Sequence, residues 1–391
     1  MGAIMKYIQT LNKISPAGLE IFDAGRFQCA EEYPSPDAIM VRSAAMHDME
    51  FGSQLKAIAR AGAGTNNIPV DRCSEQGIVV FNTPGANANA VKELVILGLL
   101  LSSRKVVPGI EWVKTLKDEG ENVGKLVETG KSQFVGPEVS GKKLGIIGLG
   151  AIGGLVANCA LHLGMEVYGY DAFISVDAAW KLSRNIHHAA SLKEIYENCD
   201  YITLHVPSTP ETKGMINSQS IQMMKHGVRI LNFARGDLVV NADMLQALDE
   251  KNVRCYITDF PSAELLDHPG VIAIPHLGAS TPESEDNCAR MAAQELVDYL
   301  ENGNIRNSVN LPNAEMPRSG RCRIAVIHRN QPNMISQITQ TVSNAGINIE
   351  NMLNKSKKDY AYTMLDVNND IDNEQLAKLS AISDVIRVTL Y

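Results

Sequence analysis

The 391-residue sequence lacks the features that mark several large classes of protein. It has no CxxC pair, and its seven cysteines, an odd number, lie far apart, which favours reduced thiols over a disulfide framework or a zinc site. The longest apolar stretch, residues 144–167, is interrupted by six glycines, Asn158 and His162, so it does not predict a membrane span. We therefore expect a globular protein with no metal site and no membrane partner.

Clusters of basic residues are also absent. The chain has 36 Lys and Arg against 44 Asp and Glu, a net charge of −8, so no nucleic-acid partner is expected. The N-terminal residues do not form the apolar segment of a secretory signal, which favours a cytoplasmic location. With 45% hydrophobic residues, the composition is that of a globular protein, and the length predicts two or three domains.

Short apolar runs alternate with helical patterns along most of the chain, as at residues 38–41, 55–58 and 78–81. This alternation predicts parallel strands joined by crossover helices. Between residues 144 and 274 the pattern is clearest, and six segments are predicted to be strands: LGIIGLG, EVYGYD, YITLHVP, RILNFA, YITDF and VIAIPH. The predicted fold class is α/β with two doubly wound parallel sheets.

Two long predicted helices mark where the chain changes domain. One covers residues 88–103, and the other runs from about Ser280 to about Gly303. The first domain is therefore predicted to be discontinuous, with residues 1–87 and 280–311, and the second to comprise residues 88–279. Residues 312–321 have the composition of a linker. Residues 322–391 follow the order βαββαβ, which predicts a small ferredoxin-like domain.

A glycine motif, Gly148-Leu149-Gly150-Ala151-Ile152-Gly153, follows a predicted strand and opens a helix. Alone it could be a buried glycine-rich turn, but in this context it is typical of a pyrophosphate-binding loop in a Rossmann-like domain. Asp171 ends the next strand, where a carboxylate accepts hydrogen bonds from the adenosine ribose. No arginine follows it closely to hold a 2′-phosphate, so the sequence favours NAD over NADP.

Three polar residues follow predicted strands of the same domain and could carry hydride-transfer chemistry. Arg235 could bind a carboxylate through its guanidinium fork, although a surface arginine is the alternative. His276, which lies in a turn between Pro275 and Gly278, could act as the acid or base. Glu264 could hydrogen-bond that imidazole, or it could be a solvated loop residue.

These motifs occur in one order along the chain: GLGAIG with Asp171, NFARG, a glutamate after TDFPSA, and PHLGAST. In that order they resemble the D-2-hydroxyacid dehydrogenase family. The segments VRS at residues 41–43 and RAGAG at 60–64 resemble the substrate-binding segments of the members that oxidise 3-phosphoglycerate. The C-terminal module resembles an ACT regulatory domain of the same members. The likeness covers nearly the whole chain.

The resemblance implies roles for individual residues. Arg235 would bind the substrate carboxylate and carbonyl, His276 would accept the proton, and Glu264 would tune that histidine. Relatives usually place the glutamate where Ala263 stands here, and their following loop is often longer. The implied NAD contacts are Gly148, Gly150, Ala151, Ile152, Gly153, Asp171, Val206, Pro207, Ala234, Asp259, Gly278 and Ala279. The implied substrate contacts are Arg42, Ser43, Arg60 and Gly62, with both arginines on the phosphate.

The likeness to ACT domains implies an effector site as well. In the related bacterial enzyme this domain binds L-serine between subunits, and the matching residues here are His328, Asn330 and Asn348. The chain departs from the family after Pro332, where Asn333 replaces a glycine. Asparagine tolerates a positive φ, so the turn could survive. The resemblance also implies a homodimer or homotetramer.

The expected function is NAD-dependent oxidation of 3-phospho-D-glycerate to 3-phosphohydroxypyruvate, the first step of L-serine biosynthesis. One alternative keeps the chemistry and changes the substrate, as in a hydroxypyruvate or glyoxylate reductase or another D-2-hydroxyacid dehydrogenase. A more distant alternative is a non-catalytic protein that senses NAD, because a fold does not fix a function.

Overall fold

The structure is a computed structural model that describes residues 5–391. Residues 1–4, on which part of the expectation about a secretory signal depends, lie outside the described residues. Contacts divide the described chain into two units: the residues up to Asn87 together with Pro282–Tyr391, and Ala88–Thr281. No helix among residues 5–391 combines the length and apolarity needed to cross a membrane. All seven cysteines are free thiols.

Strands and helices alternate along most of the chain. The strands are β1 Lys6–Leu11, β2 Phe27–Ala30, β3 Ala38–Val41, β4 Ala57–Arg60, β5 Val79–Phe81, β6 Lys143–Ile147, β7 Glu166–Tyr170, β8 His187–His188, β9 Tyr201–Leu204, β10 Val228–Asn232, β11 Val253–Thr258, β12 Val271–Ala273, β13 Cys322–Arg329, β14 Ile349–Lys357, β15 Tyr360–Val367 and β16 Val385–Leu390. The helices are α1 Pro16–Leu19, α2 Val70–Glu75, α3 Ala88–Ser103, α4 Val106–Thr115, α5 Val123–Gly130, α6 Ala151–His162, α7 Val176–Ala179, α8 Leu192–Asn198, α9 Ser218–Gln222, α10 Asn241–Asp249, α11 Pro282–Asn302, α12 Met334–Asn344 and α13 Asn373–Ser380.

The first unit begins with a five-stranded parallel sheet of order β2-β1-β3-β4-β5. Its central strand β3 is buried along its whole length, as expected when helices cover both faces of a parallel sheet. Helix α11 returns the chain to this sheet and buries an apolar face of small residues and leucines in the same core. The unit is thus built from two separate stretches of chain, because α11 supplies a layer that the N-terminal residues lack.

The first unit also contains a four-stranded antiparallel sheet of order β14-β15-β13-β16. With α12 and α13, its order along the chain is βαββαβ, as the sequence predicts. At the base of β13, Arg323 is fully buried and forms a two-pronged ion pair with Asp366, with distances of 2.5 Å and 2.8 Å. The pair connects the start of β13 to β15, because each buried charge is neutralised by the other.

The second unit is a seven-stranded parallel sheet of order β12-β11-β10-β9-β6-β7-β8. The order reverses between β6 and β9, and this reversal is the point where doubly wound sheets bind dinucleotides. All six predicted strands are present, and the two-residue β8 was not predicted. Together with the other two sheets, this architecture confirms the predicted fold class.

Candidate functional site

The glycine motif forms the turn between β6 and α6 at the reversal of strand order. Gly148 has φ +96°, and a Cβ at that residue would lie 2.5 Å from the carbonyl oxygen of His205. A Cβ on Gly153 would lie 1.9 Å from the carbonyl oxygen of Gly148, so only glycine lets the helix begin there. A Cβ on Gly150 would meet no protein atom within 4 Å. The turn is therefore closed toward the protein and open at Gly150, which leaves room for a pyrophosphate beside the helix N-terminus.

Asp171 is held at the end of β7 beside this turn. Its two carboxylate oxygens accept hydrogen bonds from the backbone N–H groups of Leu149 and Phe173, each at 2.8 Å. Within residues 5–391 it forms no ion pair with an arginine. An oriented carboxylate with free lone pairs suits ribose hydroxyls and repels a 2′-phosphate, which fits NAD.

Arg235, Asp259 and His276 follow β10, β11 and β12, which are neighbours in the sheet. Because the strands are parallel, their carboxyl ends lie at the same edge. Arg235 and His276 are exposed in this unit, whereas Asp259 is only 1% exposed. The His276 ring packs against the Phe260 ring, with centroids 4.7 Å apart. The structure therefore brings a guanidinium, an imidazole and a buried carboxylate to one edge.

Burial raises the pKa of Asp259 above its ordinary value, while the nearby His276 and Arg235 act in the opposite direction. Neither carboxylate oxygen forms a hydrogen bond of ordinary geometry among the described residues, although the N–H groups of Gly278 and of Asp259 itself lie near enough to lower its pKa. A buried carboxylate with such weak partners gains from a further donor. The amide N–H₂ of a nicotinamide is a donor of that kind, so Asp259 fits the cofactor contact that the resemblance implies.

The structure does not bring Glu264 to His276. The Glu264 carboxylate accepts hydrogen bonds from Asn241 at 2.6 Å and from Ser262 at 3.4 Å, and within residues 5–391 it makes none to the imidazole. Glu264 lies in a short helical turn, residues 263–265, that directs it toward the start of α10. The sequence-based expectation that Glu264 hydrogen-bonds His276 is therefore not met here.

The remaining residues implied as NAD contacts lie around the same sheet edge. Val206 and Pro207 follow β9, and Val206 is also close to Gly148. Ala234 follows β10, and its N–H donates to the side chain of Asn232 at 3.2 Å. Gly278 is buried close to Asp259, whereas Ala279 and Ala151 are exposed and Ile152 is half-buried.

The implied substrate contacts belong to the first unit, at the carboxyl ends of β3 and β4. Arg42 forms an ion pair with Glu285 at 2.5 Å, and Arg60 donates to the carbonyl oxygens of Arg42, at 3.0 Å, and of Gly64. Ser43 is held through its N–H by Asn12, and Gly62 follows Arg60 in the same loop. The structure thus brings the two arginines together, each with a partner in the protein.

The implied effector residues lie in the C-terminal sheet module. His328 is 2% exposed and is hydrogen-bonded at both ring nitrogens, to the Arg329 carbonyl at 2.8 Å and to the Thr363 hydroxyl at 2.9 Å. The side-chain amide of Asn330 donates to Lys358, and that of Asn348 to Glu350. All three residues therefore already have partners within the chain.

Sequence reasoning missed two neighbours of the candidate site residues. Phe260, whose ring packs against His276, directly follows Asp259 and could have been found from that position. Glu285, the partner of Arg42, is 243 residues away along the chain, so no local pattern indicates the pair.

The chain belongs to the D-isomer-specific 2-hydroxyacid dehydrogenase family. Residues 98–278 match the NAD-binding domain of that family, and residues 324–387 match the AHAS small subunit-like ACT domain. The recognised family and NAD as its cofactor are thereby confirmed.

Among individual proteins, the chain is similar to D-3-phosphoglycerate dehydrogenase of Haemophilus influenzae, with 32% identity over 87% of this chain and 82% of that protein. It is 33% identical to the Bacillus subtilis enzyme of the same name, over 75% of this chain and 55% of that protein. The chain thus spans about half the length of the first curated relatives it matches. A solved NAD⁺-bound 3-phosphoglycerate dehydrogenase of Entamoeba histolytica is similar at 28% identity and a TM-score of 0.61, covering 79% of this chain and 99% of that one.

Proposed function

We propose that this chain oxidises 3-phospho-D-glycerate at C2 to 3-phosphohydroxypyruvate with NAD, as the first step of L-serine biosynthesis. The observation that carries the proposal is the convergence of Arg235, His276 and buried Asp259 at the carboxyl edge of one parallel sheet. The named relatives act as 3-phosphoglycerate dehydrogenases, which supports the choice of substrate.

Each residue has a stated task in this proposal. His276 accepts the proton of the C2 hydroxyl, and its ring is positioned by Phe260. Arg235 binds the C1 carboxylate and polarises the carbonyl that forms at C2. Asp259 orients the cofactor's amide, and Asp171 orients its ribose. When bound, NAD supplies the hydride acceptor for the C2 hydrogen.

Arg42 and Arg60 are proposed to bind the substrate phosphate. Arg42 must then exchange its partner Glu285 for the phosphate, an exchange favoured by the larger charge of a phosphate dianion. This role separates the proposal from the alternative of a glyoxylate or hydroxypyruvate reductase. Those enzymes act on unphosphorylated acids and gain nothing from a pair of phosphate-binding guanidinium groups.

A substrate panel tests the proposal. Initial rates of NAD reduction are measured with 3-phospho-D-glycerate and with D-glycerate, for the native chain, Arg60→Gln and the control Arg321→Gln. Arg321 lies in the C-terminal module and pairs with Asp370. We expect kcat/KM to be higher for 3-phospho-D-glycerate than for D-glycerate. Arg60→Gln should lower the ratio of the two kcat/KM values about tenfold or more. A preference for D-glycerate would establish the alternative substrate class, and no turnover of either acid would favour a non-catalytic NAD sensor.

Regulation, assembly and location form the finer part of the proposal. We infer that residues 322–391 act as a regulatory domain after a linker at 312–321, and that L-serine binds near Asn330 and Asn348 in a homodimer or homotetramer. The match to an ACT domain supports effector binding. His328 contributes only if it gives up a present hydrogen bond. The free thiols are in keeping with a cytoplasmic enzyme.

A further inference from the structure

An open groove of about 530 Å³ lies in the first unit, apart from the residues implied in catalysis and in L-serine binding. One wall is the end of β14, and the other is the chain that follows α11 together with the residue after β5. The lining residues used below are Asn82, Asn307, Asn313, Lys355 and Lys357. We call this feature the basic groove.

The basic groove contains two lysines that have no acidic partner. Within residues 5–391, neither Lys355 nor Lys357 forms an ion pair. The Lys357 ammonium donates to the carbonyl oxygen of Ser308 at 2.9 Å, which fixes it at the groove wall. Burial lowers the pKa of Lys357, and the charge of Lys358 lowers it further. Lys355 and Lys357, with Lys358 beside them and no carboxylate paired to either, form a site of positive potential.

The carboxyl group behind the groove does not neutralise this charge. Glu295 on α11 is 6% exposed, and its Oε1 accepts a hydrogen bond from Asn307 at 2.7 Å. Burial raises the pKa of Glu295 to about 8, so at neutral pH the group is mostly protonated and uncharged. A second acid nearby, Glu315, is already bound by both arms of the Arg306 guanidinium.

The groove also has a neutral donor that is not in use. In the described part of the chain, the side chain of Asn313 forms no hydrogen bond with another residue. An amide beside ammonium groups adds a donor for phosphate or carboxylate oxygens. The open volume is large enough for a small organic anion.

We propose that the basic groove binds a small anion with at least two negative charges on phosphate or carboxylate groups. Such an anion supplies the negative charge that pairs with the two lysines, and it accepts a hydrogen bond from the Asn313 amide. We infer at least two negative charges because the groove has two ammonium groups, those of Lys355 and Lys357. An anion with a single carboxylate would pair with only one of them.

The groove is connected to the loop that contains Arg60. Asn82 lines the groove, and its side-chain amide donates to the carbonyl oxygen of Ala63 at 2.5 Å. The next residue, Thr83, donates its N–H to the carbonyl oxygen of Gly62 at 3.1 Å. An anion that accepts a hydrogen bond from the Asn82 amide would compete with the Ala63 carbonyl oxygen for that donor. The loop of residues 60–64 would then shift, and KM for the substrate would change. This coupling, unlike the binding itself, depends on the proposed function.

Isothermal titration calorimetry on the full chain tests the binding without reference to activity. The probes are pyrophosphate and citrate, which distinguish a phosphate source from a carboxylate source. We expect at least one probe to bind the native chain at millimolar concentration, and Lys355→Gln to weaken that binding about tenfold. The matched control is Lys378→Gln, which removes an exposed lysine of the same module that pairs with Glu374 and does not line the groove.

A second variant separates the groove from the candidate active site. Arg235→Gln removes a proposed anion contact of the active site and should leave the calorimetric binding unchanged. The proposal is overturned if neither probe binds, if Lys355→Gln binds like the native chain, or if Arg235→Gln abolishes the binding. A bound probe that leaves KM for 3-phospho-D-glycerate unchanged contradicts the coupling through Asn82. If the chain is inactive on that substrate, the proposed function is refuted. The calorimetry then still shows whether the basic groove binds an anion.

Discussion

The carboxylate of Asp259 is buried within electrostatic reach of the exposed imidazole of His276, and the two residues follow adjacent parallel strands. Phe260 lies between them in sequence and contacts the imidazole ring. Because Asp259 forms no hydrogen bond of ordinary geometry among the described residues, and because burial raises its pKa despite the nearby His276 and Gly278 N–H, a ligand that donates to it would stabilise its charge further. This arrangement links the stability of the second unit to the binding of a cofactor.

Replacing Asp259 with asparagine should stabilise the ligand-free protein while weakening NAD binding. Burial raises the pKa of Asp259, so ionisation costs folding free energy as the pH rises above the ordinary aspartate value. Asp259→Asn removes that cost, and we expect a gain of about 1 kcal/mol at neutral pH that disappears in acid. Thermal unfolding with and without NAD measures both effects. Asp249→Asn, at an exposed residue, is the control, and a destabilised Asp259→Asn protein would contradict this account.

Replacing Glu264 with glutamine should leave the pH profile of kcat/KM nearly unchanged. Glu264 is hydrogen-bonded to Asn241 and not to the imidazole, so its replacement leaves the immediate contacts of His276 unchanged. Initial rates across the pH range check this expectation. If the acidic limb instead moves by about one pH unit or more, Glu264 pairs with His276 in solution, as the family resemblance implies.

Glu295 should make the protein less stable in alkaline solution. Its pKa is raised by burial to about 8, so the folded state prefers the protonated form. The free energy of unfolding should therefore fall, on the order of 4 kcal/mol in this contribution, as the pH rises from about 5 to about 9. Urea titrations at both pH values measure it. Glu295→Gln should lose this pH dependence, and Glu283→Gln, an exposed substitution on the same helix, should retain it. An equal pH dependence in both variants would show that Glu295 is not its source.

Much of the fold could be predicted because its signals are local. Helix α3 covers the predicted residues 88–103, and the six predicted strands of the second unit are present because each is a short apolar run that ends in a turn. The two-residue β8, with both histidines exposed, carries no such run. Helices α4 and α5 were not predicted, although α4 has apolar residues at helical spacing, Val106, Ile110 and Val113, which stay exposed in this unit.

The candidate site was predictable where its polar side chains lie at the ends of strands. Arg235, Asp259 and His276 each directly follow or lie near the end of a strand, and parallel strands bring those ends together. Partners set by tertiary contacts were not predictable. Glu264 was expected to contact His276, but a short helical turn directs it to Asn241 instead, and sequence spacing does not reveal that direction.

The role of His276 is the central claim, and the most direct test is the rate of NAD reduction with 3-phospho-D-glycerate for the native chain and His276→Gln. His226→Gln, at an exposed histidine outside the candidate site, serves as the control. We predict that His276→Gln lowers kcat about 10²- to 10⁴-fold, the usual contribution of a general base, while His226→Gln keeps native activity. Native turnover in His276→Gln would contradict the account.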